Sequence, residues 1–170
     1  QNKTPKINAW FAFPAIESFG MASLGFLSLF KQIDLMKDVF VERIYADTKT
    51  TVANLEDVDV IGFSNSFEID ILTILKMFSK FKIPPLSKDR DENCPLIFAG
   101  GPVITANPIP YEDFYDFISI GDAKVTFDKI FQILVEKRNE TKEAKLQALS
   151  EIDGVWVPKY GKNKPIQKIS

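Results

Sequence analysis

The chain has 170 residues, a net charge of −2, 45% apolar and 26% charged residues, which is the balance of one globular domain. One cysteine, Cys94, and no histidine exclude an internal disulfide, a cysteine-built metal centre, a Ser-His-Asp triad and most zinc and haem sites. There is no basic stripe for nucleic acid or an anionic membrane, and no run of ~18 apolar residues to cross one.

In chain order, Lys6 to Phe13 reads as a buried first strand that stops at Pro14. Pro14 to Gly20 is a loop. Apolar residues then recur at helical spacing from Ser23 to Lys37, with Ser23 placed to cap the helix. Val39 to Tyr45 is β-branched and aromatic, a second strand. Ala46 to Glu56 is polar loop with at most one helical turn. Asp59 to Ser64 is a third strand, and Glu68 to Phe81 an amphipathic helix stopped by Pro84-Pro85.

Ser87 to Asn93 reads as a charged surface loop. Pro95 to Ala99 is a fourth strand running into Gly100-Gly101-Pro102, and Pro108 to Phe114 a short helix or turn. Asp116 to Ile120 is a fifth strand ending at Gly121-Asp122, followed by a helix from Val125 to about Arg138. Lys142 to Ser150 is a further helix, Gly154 to Val157 a short strand, and Ile166 to Ile169 a possible last one. Strands alternating with helices predict an α/β fold: a doubly wound, mostly parallel five-stranded sheet in three αβα layers, with a short C-terminal β extension. Residues 1–158 form the domain and 159–170 a lysine-rich linker. Gln1 in place of Met points to a trimmed chain, and the lone cysteine to a reducing, cytoplasmic setting.

In such a sheet, ligands bind outside the carboxyl ends of the strands. Those ends carry Pro14, Glu17 and Gly20; Ser64, Asn65 and Ser66; Gly100, Gly101 and Pro102; and Gly121 with Asp122. Glycine lets a ligand approach the backbone, and serine and asparagine offer hydrogen bonds without bulk. The same residues also serve ordinary tight turns. Neither G-x-x-x-x-G-K nor G-x-G-x-x-G follows the first strand, which argues against a usual phosphate or dinucleotide site. Asp113, Asp116 and Asp122 suggest a cation site, but Asp116 opens an apolar strand and Asp113 sits in a turn, so both read as solvated or capping groups, and Cys94 reads as a small buried apolar residue.

Ala12-Phe13-Pro14 with Glu17, Gly20-Met21-Ala22-Ser23-Leu24-Gly25, Ile61-Gly62-Phe63-Ser64, Phe98-Ala99-Gly100-Gly101-Pro102 and Asp116 through Asp122 occur in an order and spacing that form a pattern. Together with Ile152 to Pro158, they resemble the N-terminal cobalamin-binding-type (Rossmann-like) domain of radical S-adenosylmethionine proteins. The resemblance implies a flavodoxin-like domain with a radical S-adenosylmethionine barrel in cis. It implies cobalamin over the strand ends, near Ser64, Asn65, Ser66, Gly100, Gly101 and Pro102 and flanked by Gly121 and Asp122. The D-x-H-x-x-G motif is absent, so a corrin would be held without a histidine ligand. The family's acidic residue after the fifth-strand glycine is also missing, because Ala123-Lys124-Val125 follows Gly121-Asp122. No cysteine triplet is present, so the iron–sulfur cluster and S-adenosylmethionine belong to the rest of the parent protein, and this chain alone is not catalytic. Two alternatives stand beside the cobalamin module: a degenerate structural or substrate-guiding domain that binds no cofactor, and a flavodoxin-like flavin carrier.

Overall fold

A computed structural model describes residues 6–161. The strands are β1 Ile7–Phe13, β2 Val39–Tyr45, β3 Val60–Ser64, β4 Leu96–Gly100, β5 Phe117–Ser119 and β6 Val155–Trp156. They form one sheet in the order β2-β1-β3-β4-β5-β6. The first five run parallel, and β6 pairs antiparallel with β5. The expected parallel array is therefore present, and the C-terminal β extension joins it as a sixth, edge strand. The expected strand at Ile166 to Ile169 lies outside the described residues. The order places the topological switch point between β1 and β3, where the chain turns from building one flank of the sheet to the other.

The helices are α1 Glu17–Gly20, α2 Leu24–Asp34, α3 Asp70–Lys80, α4 Pro102–Ala106, α5 Ala123–Glu136 and α6 Lys142–Ser150. Side chains of a strand alternate between faces, so each strand feeds two cores. Val60, Phe98 and Phe117 join α2, α5 and α6 on one face. Ile61, Phe63, Ile97 and Ile118 join α3 and α4 on the other. Ser23 caps α2 by accepting from the Phe26 amide at 3.4 Å. Among the described residues, no helix is long and apolar enough to cross a membrane.

Three local readings change. Helix α4 fills residues 102–106, to which the sequence assigned neither helix nor strand, with Pro102 in its first turn after Gly101. Helix α3 ends at Lys80, before the two prolines; Lys82 takes a left-handed φ of 59°, and the Ile83 amide donates back to the Phe78 carbonyl at 2.8 Å. The Ser87–Asn93 loop is not all surface. The Arg90 side chain is fully buried and pairs with Asp116 at 3.3 Å. It also donates to the carbonyls of Pro84 at 2.9 Å, Pro85 at 3.1 Å and Phe114 at 2.5 Å. Asp116 is thus a buried brace rather than a solvated group, and it accepts from the Ile97 amide at 2.7 Å.

Asp59 sets a pH dependence. Its carboxylate accepts from the Asn8 amide at 2.8 Å at the start of β3. Burial pushes its pKa up, against the pull of that hydrogen bond. A raised folded-state pKa contributes stability that is complete below the unfolded value of about 4 and lost as pH rises through the folded value. At neutral pH the domain carries the cost of a half-buried carboxylate. Asp59→Asn keeps an acceptor for Asn8, so it is expected to raise the melting temperature at pH 7, with the gain gone near pH 3. Thermal melts across that range check it.

Candidate functional site

The site arises from small residues in register. Ser64, Gly100 and Ser119 are paired neighbours at the last shared positions of β3, β4 and β5. Earlier positions on that face hold Val60, Leu96, Phe98 and Phe117, which fill the space beneath α2 and α5. Ser119 stays against α5, its hydroxyl 2.9 Å from that of Thr126, whereas at Ser64 and Gly100 sheet and helices part. The gap is a cavity of about 480 Å³ at the carboxyl ends of the strands, within the range of small-molecule sites.

Its apolar walls include Phe11, Phe26, Leu29, Phe63 and Phe127. The Phe11 and Phe26 rings stack at 4.7 Å, and Phe127 meets Phe11 edge-on at 5.9 Å. The polar groups are Ser23, Ser64, Ser66, Thr105 and Asp122, with backbone from Gly100, Gly101 and Gly121. The Ser64 and Ser66 hydroxyls lie 3.4 Å apart. Asp70 accepts from the amides of Ser66 at 3.0 Å and Phe67 at 2.9 Å, and so fixes the loop after β3. The Gly121 amide donates to the Thr105 hydroxyl at 3.2 Å, which ties the loops after β4 and β5. Asp122 caps α5, accepting from the Lys124 amide at 2.9 Å. Among the described residues, no lysine or arginine lines the cavity.

Gly101 is the tightest point. Its φ is 135°, and a Cβ there would fall 2.4 Å from the Asn65 carbonyl oxygen. Asn65 is itself fixed, its amide donating to the Gly100 carbonyl at 2.8 Å. Its side chain is fully buried, and Nδ2 donates to the Tyr115 hydroxyl at 3.2 Å. Burial pushes the Tyr115 phenol well above its ordinary pKa, so it stays a neutral partner.

Of the residues expected at the site, Ser64, Ser66, Gly100, Gly101, Pro102, Gly121 and Asp122 line this one cavity. Asn65 supports its floor from the α3 side. Pro14, Glu17 and Gly20 lie outside the lining. The Glu17 amide donates to Asp47 at 2.9 Å, and Gly20 sits against the Tyr45 ring, where a Cβ would come within 2.1 Å. Sequence reasoning missed Ser23, Gly25, Phe26, Thr105 and Phe127. Thr105 had a readable signal, since it follows the Gly100-Gly101-Pro102 turn by three residues. Phe26 and Phe127 had none, because they lie on helix faces that also read as core.

The three aspartates weighed as a cation site do not act together: Asp116 braces Arg90, Asp122 caps α5 and Asp113 is exposed. Cys94 is half-buried, and burial pushes its thiol up, away from thiolate reactivity.

No curated protein and no solved structure matches the chain. A family model described as the N-terminal domain of radical SAM (S-adenosylmethionine) proteins matches residues 25–158. That span runs from the first turn of α2 through β6 and takes in the cavity lining apart from Phe11 and Ser23, so the chain belongs to this family of radical SAM N-terminal domains.

Proposed function

We propose that this chain is a non-catalytic cofactor-holding module of a radical SAM protein, and that its strand-end cavity receives part of a cobalamin held without a histidine ligand. The observation that carries this reading is the cavity at the ends of β3, β4 and β5, opened by a row of small residues and walled by phenylalanines. The donor set fits such a group. Gly100 and Gly101 leave backbone bare for close approach, Ser64, Ser66 and Thr105 offer hydroxyls, and Phe11, Phe26 and Phe127 would give such a group an apolar wall. Asn65 holds the Gly101 turn in shape, while Pro14, Glu17 and Gly20, on the segment after β1 and outside the cavity lining, would contribute only to a larger binding surface. When bound, cobalamin supplies a redox-active cobalt held by the corrin. The chain itself binds, orients and shields, and the family's iron–sulfur cluster and S-adenosylmethionine belong to the parent protein.

The flavin reading is weaker on electrostatic grounds. A flavin mononucleotide carries a phosphate that needs a cationic or amide-rich cradle, and among the described residues the one charged group in the lining is Asp122.

Hydroxocobalamin is mixed with the protein and passed through a gel-filtration column while the corrin absorbance is followed. Pigment is expected to elute with the protein. Ser64→Leu would fill the cavity, and is expected to weaken binding at least tenfold with an unchanged melting temperature. Complete separation of pigment from the unsubstituted protein sinks the reading.

A further inference from the structure

We propose that Met21 is an oxidation site whose sulfoxide the fold is shaped to hold, so that oxidation tightens the loop before α2 instead of loosening it. The inference is independent of what the cavity binds. Met21 lies between α1 and α2 and is 46% exposed. Two donors converge on its sulfur: Arg43 Nη1 at 3.3 Å and the Tyr45 hydroxyl at 3.6 Å. A thioether is a weak acceptor, so two good donors are spent on a poor partner.

Both donors are held in place. Tyr45 ends β2, with Gly20 against its ring and Phe26 meeting it edge-on at 5.8 Å. Its phenol keeps its proton at neutral pH, because burial outweighs the pull of Arg43 and pushes its pKa up. Arg43 lies over the Phe30 ring of α2, 5.0 Å from the centroid, and no carboxylate among the described residues pairs with it. The Met21 amide donates to the Glu17 carbonyl at 2.8 Å, which fixes the backbone beneath the sulfur. A sulfoxide oxygen is polar and accepts strongly, so the same two donors suit the oxidised side chain better than the reduced one. The sulfur has to back away by roughly 1 Å to admit the oxygen, which an unbranched, part-exposed side chain can do.

A peroxide is the oxidant. The sulfur lone pair attacks one peroxide oxygen; the S–O bond forms as the O–O bond breaks, and sulfur loses two electrons. The departing hydroxide takes the proton from the transferred oxygen and leaves as water. The other two methionines lack this setting: Met77 is 2% exposed, and Met36 packs against the core just past α2. Oxidation of methionine ordinarily disrupts packing. At Met21 it would add two hydrogen bonds to a loop that leads into Ser23, which caps α2 and lines the cavity.

Both cores close within residues 7–160, so the 170-residue chain is the test protein, with Cys94→Ala throughout so that no thiol consumes oxidant. Hydrogen peroxide is added in steps, peptide mass spectrometry locates the added oxygen, and thermal melts follow each step. Met21 is expected to become sulfoxide while Met77 stays reduced, and the melting temperature is expected to rise by about 2 °C or more. Met21→Gln offers an amide oxygen to the same donors and is expected to give a similar rise without oxidant. Arg43→Met combined with Tyr45→Phe is expected to turn the rise on oxidation into a fall. A melting temperature that stays level or drops once Met21 is oxidised overturns the proposal. So does an equal rise in Met21→Leu treated in the same way.

Discussion

Arg90→Met is expected to remove about 3–5 kcal/mol of stability, the usual cost of breaking a buried ion pair from one side. Two losses add. The Asp116 carboxylate is left charged in a site where burial already pushes its pKa up and Arg90 is the main force pulling it down. The carbonyls of Pro84, Pro85 and Phe114 also lose their guanidinium donor. The two parts separate by pH. A raised Asp116 pKa means the carboxyl protonates readily in acid, so the charge part shrinks as pH falls, while the carbonyl part persists. Adding Asp116→Asn to Arg90→Met is expected to recover much of the charge part at pH 7, since an amide oxygen still accepts from Ile97. Urea unfolding of the three proteins at pH 7 and pH 4 measures both parts. A loss below 1 kcal/mol for Arg90→Met would show that the brace contributes little.

Gly101→Ala is expected to have the second-largest effect. A side chain at φ 135° carries about 1–3 kcal/mol of backbone strain. The new methyl would also collide with the Asn65 carbonyl, 2.4 Å from an ideal Cβ. That carbonyl cannot retreat easily, because Asn65 is tied to Gly100 and Tyr115. Relief has to come from the Gly101 turn, which carries Pro102 and the start of α4. The cavity should deform, with corrinoid binding weakened more than tenfold. Gly25→Ala is the internal comparison: Gly25 lines the same cavity, yet nothing lies within 4 Å of its added Cβ. It is expected to leave stability equal or slightly higher, as a helical glycine-to-alanine change does. Chemical denaturation and pigment titration read both variants.

Much of the frame was legible because its signals are local. β-branched and aromatic runs marked β2 and β3, and the Ser23 cap marked the start of α2. The glycines and serines ending the strands named half of the cavity, since a parallel sheet gathers all such ends on one side. What escaped was set by distance in the sequence. Arg90 sits amid charges that speak for solvent, and its partner is 26 residues away. Asp116 looked like a strand-opening polar residue for the same reason. Phe26 and Phe127 line the cavity because Ser64 and Gly100 fall side by side across β3 and β4, a register that no single segment announces. Helix α4 was hidden by its brevity, although glycine followed by proline is a common way to begin one.

The antiparallel last strand has a practical consequence. Ile7 starts β1 and Gly161 leaves β6 on the same side of the sheet, so the domain is built like a plug-in cartridge with both wires at the back. A fluorescent reporter or affinity handle inserted just before Ile7 or just after Gly161 would lie far from the working end. The same wiring lets a host protein gain or lose the cartridge by a single splice without threading new chain past the mouth.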